Sequence, residues 1–168
     1  MLQATPPQWT VDATSSSVEL GVRHLLTIVR GRFERFSIDL SLDTTRWALS
    51  SVSAMIDVAS IDTGLALRDD HLRELFDVKR CPYATFKSRS VDRDGSVLHV
   101  GGDLTLRGRT RSIEVRAVVA SISERRAVID ASFHLSREAF GVCWSAPVEL
   151  TSGVADVVDV SLRVVAVR

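Results

Sequence analysis

The chain has 168 residues, long enough for one hydrophobic core, and carries 21 Lys and Arg against 21 Asp and Glu. A net charge of zero supplies no overall field to draw it onto nucleic acid or an anionic surface, so neither is expected as a charge-driven partner. Hydrophobic residues reach 45% while aromatic ones are only 6%, a weighting toward Val, Ile, Leu and Ala that suits strands and disfavours a base-stacking surface.

The opening MLQATPPQWTVDA has no basic region leading into an apolar run, and nowhere do 18 apolar residues follow one another. The expectation is a single cytoplasmic domain over residues 1–168, with no stable insertion in a membrane. In SSVELGVRH, Val18, Leu20 and Val22 alternate with Glu19, Gly21 and Arg23, the period of a strand with one buried face, and His24 continues the buried parity. TIVRGRFERFSIDLSL then places Val29, Gly31 and Phe33 on one parity but Phe36, Ile38, Leu40 and Leu42 on the other. A face changes within a strand only by accommodating an extra residue, so a β-bulge is predicted near Glu34 and Arg35. Val52, Ala54, Ile56 and Val58 form the next alternating set.

The rhythm breaks in RDDHLRELFDVKRCP, where Leu72, Leu75 and Phe76 fall at helical spacing, with Asp69 and Asp70 at the start and Pro82 beyond the end. This predicts a short helix from about residue 69 to 76 whose apolar stripe caps the sheet. Alternation resumes at Leu98, Val100, Leu104 and Leu106, at Ile113, Val115, Ala117 and Val119, at Ile129, Ala131, Phe133 and Leu135, and finally from Val158 to Ala166. Turn signals at Asp94-Gly95, Gly108 and SERR from Ser123 separate these segments.

About eight antiparallel strands escape the liability of exposed edges by closing on themselves, so the expected fold is all-β, an eight-stranded antiparallel barrel. At about that strand number the interior is either filled by side chains or just wide enough for one small ligand. The inward set is mostly Val, Ile, Leu, Ala and Gly, with few large residues such as Phe33, Phe36, Phe86 and Phe133, which points to a tube. A hydrocarbon wall gives water no polar partners, whereas an apolar guest gains about 25 cal/mol per Å² buried. The expected ligand is a lipid or isoprenoid chain rather than a sugar, nucleotide or metal ion.

Five stretches carry a resemblance: WTVDATSSSVELGVRHLLTIVRGRFERF (9–36), SIDTGLALRDDHLRELFDVKRCPYATF (60–86), GGDLTLRGRTRSI (101–113), SREAFGVCW (136–144) and VVDVSLRVVAV (157–167). In this order they resemble the YceI-like polyisoprenoid-binding proteins. The resemblance implies a lipocalin-like barrel around an apolar tail, binding, storage or transport without catalysis, no cofactor beyond the bound isoprenoid-type lipid, and a possible homodimer. On this reading the apolar bore comprises Val18, Leu20, Val22, Val29, Phe33, Phe36, Ile38, Ile56, Leu72, Phe76, Phe86, Leu104, Val115, Phe133, Phe140 and Trp144, with His24 and Arg68 at a polar mouth. There are two departures from the family pattern. The segment between RDDHLR and FDV is slightly short, and Cys81 stands where Tyr commonly precedes Pro, a change expected to reshape the entrance.

Chemistry-bearing residues are sparse. His24, His71, His99 and His134 lie in four segments without metal-ligand spacing, and no Gly-x-Ser-x-Gly elbow or phosphate loop is present. Cys81 and Cys143 are too few for a disulfide scaffold and are read as reduced, packed thiols. His24 is either a core-edge residue satisfied by backbone or carboxylate, or a hydrogen-bonding contact for a ligand head group. Arg68 with Asp69 and Asp70, and Arg137, either stabilise local structure through ion pairs or reach a polar head. Arg30 and Arg32 fall on the outward, solvated parity, and no apolar stripe on that parity suggests a protein-binding face. Trp9, Trp144 and Phe140 line the ligand path or plug one end. The alternative function is a lipid isomerase or cyclase in the same barrel, with His24 and a nearby carboxylate as acid and base.

Overall fold

The computed structural model describes residues 5–168. Its strands form one sheet that closes into an antiparallel barrel of eight staves. The first stave is β1 (Gln8–Val11) followed by β2 (Ser17–His24), the second β3 (Thr27–Phe33) followed by β4 (Phe36–Ser41), and the third β5 (Ser51–Asp57) followed by the short β6 (Ile61–Asp62). The remaining five are continuous: β7 (Tyr83–Asp94), β8 (Val97–Leu106), β9 (Arg109–Ile122), β10 (Arg126–Ser136) and β11 (Val154–Val167). Closure comes from β11, which pairs with β2 at Leu162 opposite Val18 and with β1 at Val167 opposite Thr10.

The breaks within staves have local causes. Between β1 and β2 the Asp12 carboxylate accepts from the Thr14 N–H at 3.0 Å and from the Thr14 and Ser15 hydroxyls at 2.7 Å, curling the chain. Ser16 Oγ meanwhile accepts from the Val165 N–H at 2.9 Å, so β11 is not left unpaired there. The bulge predicted at Glu34 and Arg35 separates β3 from β4. It is satisfied by the buried Ser60, whose carbonyl accepts from the Glu34 N–H at 3.2 Å and whose hydroxyl oxygen accepts from the Arg35 N–H at 3.0 Å. The face switch read from Phe33 and Phe36 is therefore a shared defect of the second and third staves.

The alternation in β8 is complete: Leu98, Val100, Leu104 and Leu106 are buried, and their neighbours less so. Its hairpin to β9 turns on Arg107 and Gly108, both at positive φ (51° and 71°), the conformation a two-residue turn needs to match strand twist. Gly102 is required for a different reason. A Cβ there would lie 2.5 Å from both the Lys87 carbonyl oxygen and Phe86 Cζ, so its absence lets the Phe86 ring cross the strand.

The two ends of the barrel differ. At one, Trp9, Leu42 and Trp47 are buried with Val91, Leu98 and Ala127, and Arg93 stacks 4.8 Å from the Trp47 ring. Neither indole N–H has a partner among the described residues, and the contacts of this plug are apolar. At the other end lie α1 (Ala66–Leu75) and the segment after β10, which contains α2 (Ala146–Thr151).

The helix predicted over 69–76 is thus present but begins earlier. Asp69 does fall in its first turn, where it is buried and accepts from the Thr63 N–H at 3.0 Å and the Thr63 hydroxyl at 2.5 Å, tying the incoming loop to the helix. At the far end Arg107 Nε donates to the Leu75 carbonyl at 3.1 Å, occupying one acceptor that a helix terminus leaves open. The six-residue α2, with Pro147 in its first turn, was not expected from periodicity, because it buries no residue and so has no apolar stripe.

Candidate functional site

The barrel encloses a cavity of about 770 Å³, within the range of small-molecule binding sites. It runs from Leu42 and Ser50 near the tryptophan plug to Leu65, Leu67 and Trp144 at the helical end. Along β11 the lining extends from Val154 to Val164, which at ~3.3 Å per residue and ~40° of tilt makes the bore on the order of 25 Å long.

Its wall is hydrocarbon because each stave turns alternate residues inward. Of the residues named from sequence, Val18, Leu20 and Val22 on β2, Val29 and Phe33 on β3, and Ile38 on β4 line it. So do Ile56 on β5, Leu72 on α1, Phe76 just beyond it, Phe86 on β7, Leu104 on β8, Val115 on β9, Phe133 on β10, and Trp144. His24 and Arg68 also reach the cavity.

Two expected lining residues do not belong. Phe36 is half-buried against the main core, one residue past the bulge, and is absent from the cavity wall. Phe140 is buried in a second cluster with Val58, Ala84, Leu104, Leu106 and Val142, packing a 3-10 turn onto the barrel wall. Its neighbours are protein on all sides, so it neither lines the bore nor plugs it. Trp9 serves the plug.

Every titratable side chain on the cavity wall, His24, Arg68, His71 and Arg137, comes from the helical end. The far end supplies only the hydroxyls of Ser50 and Ser51, and no Asp or Glu lines the cavity among the described residues. His24 Nε2 lies 3.1 Å from the Ser152 carbonyl, to which it donates, so the imidazole both faces the bore and joins β2 to the end of α2. Arg68 donates to the Thr63 hydroxyl at 2.8 Å and the Thr63 carbonyl at 2.7 Å. The ion-pair network expected around it is organised differently: Asp69 binds Thr63, and Asp70 pairs with Arg73 at 2.8 Å.

Arg137 is the anchor of this end. Its buried guanidinium donates to the carbonyls of Ala155 (2.9 Å), Val142 (3.0 Å) and Val154 (3.0 Å) and to the Glu149 carboxylate, and lies 5.2 Å from the Trp144 ring. The Arg137 contact, helped by the Trp144 N–H at 3.0 Å, holds the Glu149 carboxyl below the usual glutamate range. One side chain thereby fixes β11, the loop and α2 together.

The cysteines do not shape the cavity. Cys81 is half-buried behind the Arg107-Gly108 turn and off the cavity wall, so it does not form the entrance lining. Cys143 is exposed rather than packed. Among the described residues no three His, Cys, Asp or Glu side chains converge on a point where a metal ion could sit.

The sequence signals missed His71, Thr63 and the apolar pair Leu65 and Leu67, all of which line the cavity. They sit in the loop before α1 and on its first turns, where strand alternation does not apply; Thr63, Leu65 and Leu67 precede the expected start at 69, and His71 lies outside the Leu72, Leu75 and Phe76 stripe.

Comparison with known proteins places this architecture. The YceI-like domain profile matches residues 9–166. The chain belongs to the YceI-like family. Protein YceI of Escherichia coli O157:H7 is 36% identical over 103 residues, covering 60% of this chain and 54% of that protein. A UPF0312 protein of Vibrio parahaemolyticus is 40% identical over 106 residues, 61% of this chain and 56% of the relative, so the match spans little more than half the length of such relatives.

Among solved structures, the crystal structure of Burkholderia cenocepacia BcnA superposes with a TM-score of 0.86 at 30% identity, covering 92% of this chain and 98% of that one. A polyisoprenoid-binding domain from Saccharophagus degradans gives 0.72 at 18% identity, covering 95% and 97%, a likeness of fold.

Proposed function

We propose that this YceI-like chain binds an isoprenoid or other long-chain lipid in its bore and holds it without chemical change, as a carrier or store. The observation that carries the reading is the cavity itself: about 770 Å³, walled by hydrocarbon, with titratable groups at one end only. At ~0.8 kcal/mol per buried methylene, ten methylenes drawn from water would contribute about 8 kcal/mol before the entropic costs of binding. The name of the Saccharophagus degradans domain agrees with such a ligand.

In this reading the tail points toward the tryptophan plug and the head group rests near His24, Arg68 and His71, which are the polar side chains able to meet it. The enzymatic alternative needs a carboxylate beside His24, and the cavity wall offers none among the described residues. The experiment is organic extraction of the purified protein followed by mass spectrometry, with polyprenol titration of the extracted protein. A stoichiometric apolar molecule is expected. An empty extract together with no polyprenol binding would end the proposal.

A further inference from the structure

The exposed large apolar side chains gather at the helical end in a way strand parity did not anticipate. Leu25 and Leu26 form the β2–β3 turn and are 65% and 95% exposed, Leu65 and Leu67 at the start of α1 are 58% and 71% exposed, and Leu150 on α2 is 88% exposed. These three segments border one opening. Leu65 and Leu67 line the cavity, the Leu25 N–H donates to the Gly153 carbonyl at 2.9 Å just beyond α2, and Thr63 lies against Gly31 of β3. The apolar wall of the bore thus continues outward into a ring of leucines facing solvent, where burial would be favourable and nothing in the chain supplies it.

Arg23 and Arg30 stand on the outer face of the same hairpin tip, exposed, and neither enters an ion pair among the described residues. Of the nearby carboxylates, Asp62 pairs with Arg32, Asp70 with Arg73 and Glu149 with Arg137, while Glu74 on α1 and Glu19, deeper on β2, are exposed and enter no ion pair among the described residues. A second copy of the chain meeting this hairpin tip through a two-fold axis would set Arg23 and Arg30 against their own counterparts. A phospholipid surface offers both complements at once, acyl carbon for the leucines and phosphate for the guanidinium groups.

We infer that the leucine-rimmed open end docks on an anionic phospholipid bilayer, so that a lipid tail passes between membrane and bore without crossing water. This deepens the lipid-binding reading and rests on it for its purpose, though the docking is measurable by itself. It is a peripheral contact: no helix among the described residues is long and apolar enough to cross a membrane.

The test is flotation of the full chain with vesicles of phosphatidylcholine containing phosphatidylglycerol, beside vesicles of phosphatidylcholine alone. Binding is expected to be stronger to the anionic vesicles and to weaken with salt. At roughly fivefold per arginine near an anionic surface, R23Q/R30Q should lower anionic-vesicle affinity by roughly thirtyfold and leave binding to neutral vesicles nearly unchanged. L26S/L150S alters side chains that do not line the bore and should abolish flotation while the extractable lipid content stays at the parental level.

Failure of the parent chain to float with anionic vesicles, or parental flotation of L26S/L150S, would overturn the inference. So would a parental dimer in sedimentation that L26S/L150S converts to monomer, because the leucines would then belong to a second copy. Lipid in the extract without flotation would refute the docking and leave the bore reading standing. Flotation with an empty, non-binding bore would refute that reading and leave the docking.

Discussion

Narrowing the middle of the bore tests whether the tail lies where the cavity puts it. Ala54 on β5 and Ala131 on β10 both line the cavity and belong to the third and seventh of the eight staves, opposite walls of the barrel. A phenyl ring takes up roughly 150 Å³, the size of cavity that accepts benzene, so A54F/A131F would consume about two-fifths of the 770 Å³. If four of ten tail methylenes are thereby denied burial, the loss is about 3 kcal/mol, on the order of a 10²-fold weaker affinity. The assay is polyprenol titration followed by quenching of Trp144, which faces the bore, with W144F as the spectroscopic control. Because the rings enter empty space, urea unfolding of the variant should show no large destabilisation, in contrast to the about 1–3 kcal/mol typical of overpacked cores. Parental polyprenol affinity in a folded A54F/A131F protein would refute the placement of the tail, and a severe loss of stability would refute the void.

Three further outcomes follow from the geometry. G102A should destabilise the barrel by about 1–3 kcal/mol in urea unfolding, since the added methyl meets the Lys87 carbonyl as well as the Phe86 ring, and the backbone cannot swing aside as a side chain can. R137M should cost about 3 kcal/mol by leaving three carbonyls and the Glu149 carboxylate without their donor, and R137K should not restore it because an ammonium cannot span that fork; unchanged unfolding midpoints would contradict this. On acidification, the Asp43 carboxyl is lowered from 3.8 to about 2 by the Thr45 hydroxyl, then the Arg46 N–H, and Glu149 is lowered by Arg137. Both depressed carboxylates stabilise the fold fully above their unfolded values and lose that contribution as pH falls toward the folded ones. Thermal melts should therefore decline below about pH 4.5, and D43N should flatten part of that decline.

The strand residues were legible because alternation is a local consequence of the pleat: Val18, Leu20 and Val22, or Leu98 through Leu106, face inward wherever the backbone stays extended. The same rule also located the defect at Glu34 and Arg35, since a change of face leaves a mark in the pattern. It misplaced Phe36 because proximity to the bulge decides whether an inward-parity ring reaches the bore or packs beside it. Phe140 failed for a related reason, lying outside any strand, where only three-dimensional packing determines which apolar group it meets. The helical end was the least legible part. α2 buries nothing, and the role of Asp69 depends on a loop partner, Thr63, whose closeness no spacing rule implies.

That same helical end decides the direction of any occupant. A hydrocarbon tube accepts a tail from either side with equal gain, so orientation must come from where a polar head can remain hydrogen-bonded. The plugged end presents tryptophans whose indole N–H groups are buried away from the cavity wall, and a head group driven there would find only Ser50 and Ser51. At the open end, His24 has a ring nitrogen beyond its Ser152 contact and Arg68 has donors beyond those given to Thr63, so a head can be met without dismantling the local structure. Tail-first loading with the head at the helical rim is the arrangement in which no polar group is buried unpaired. It is also the one that leaves the head facing the surface from which the lipid would come.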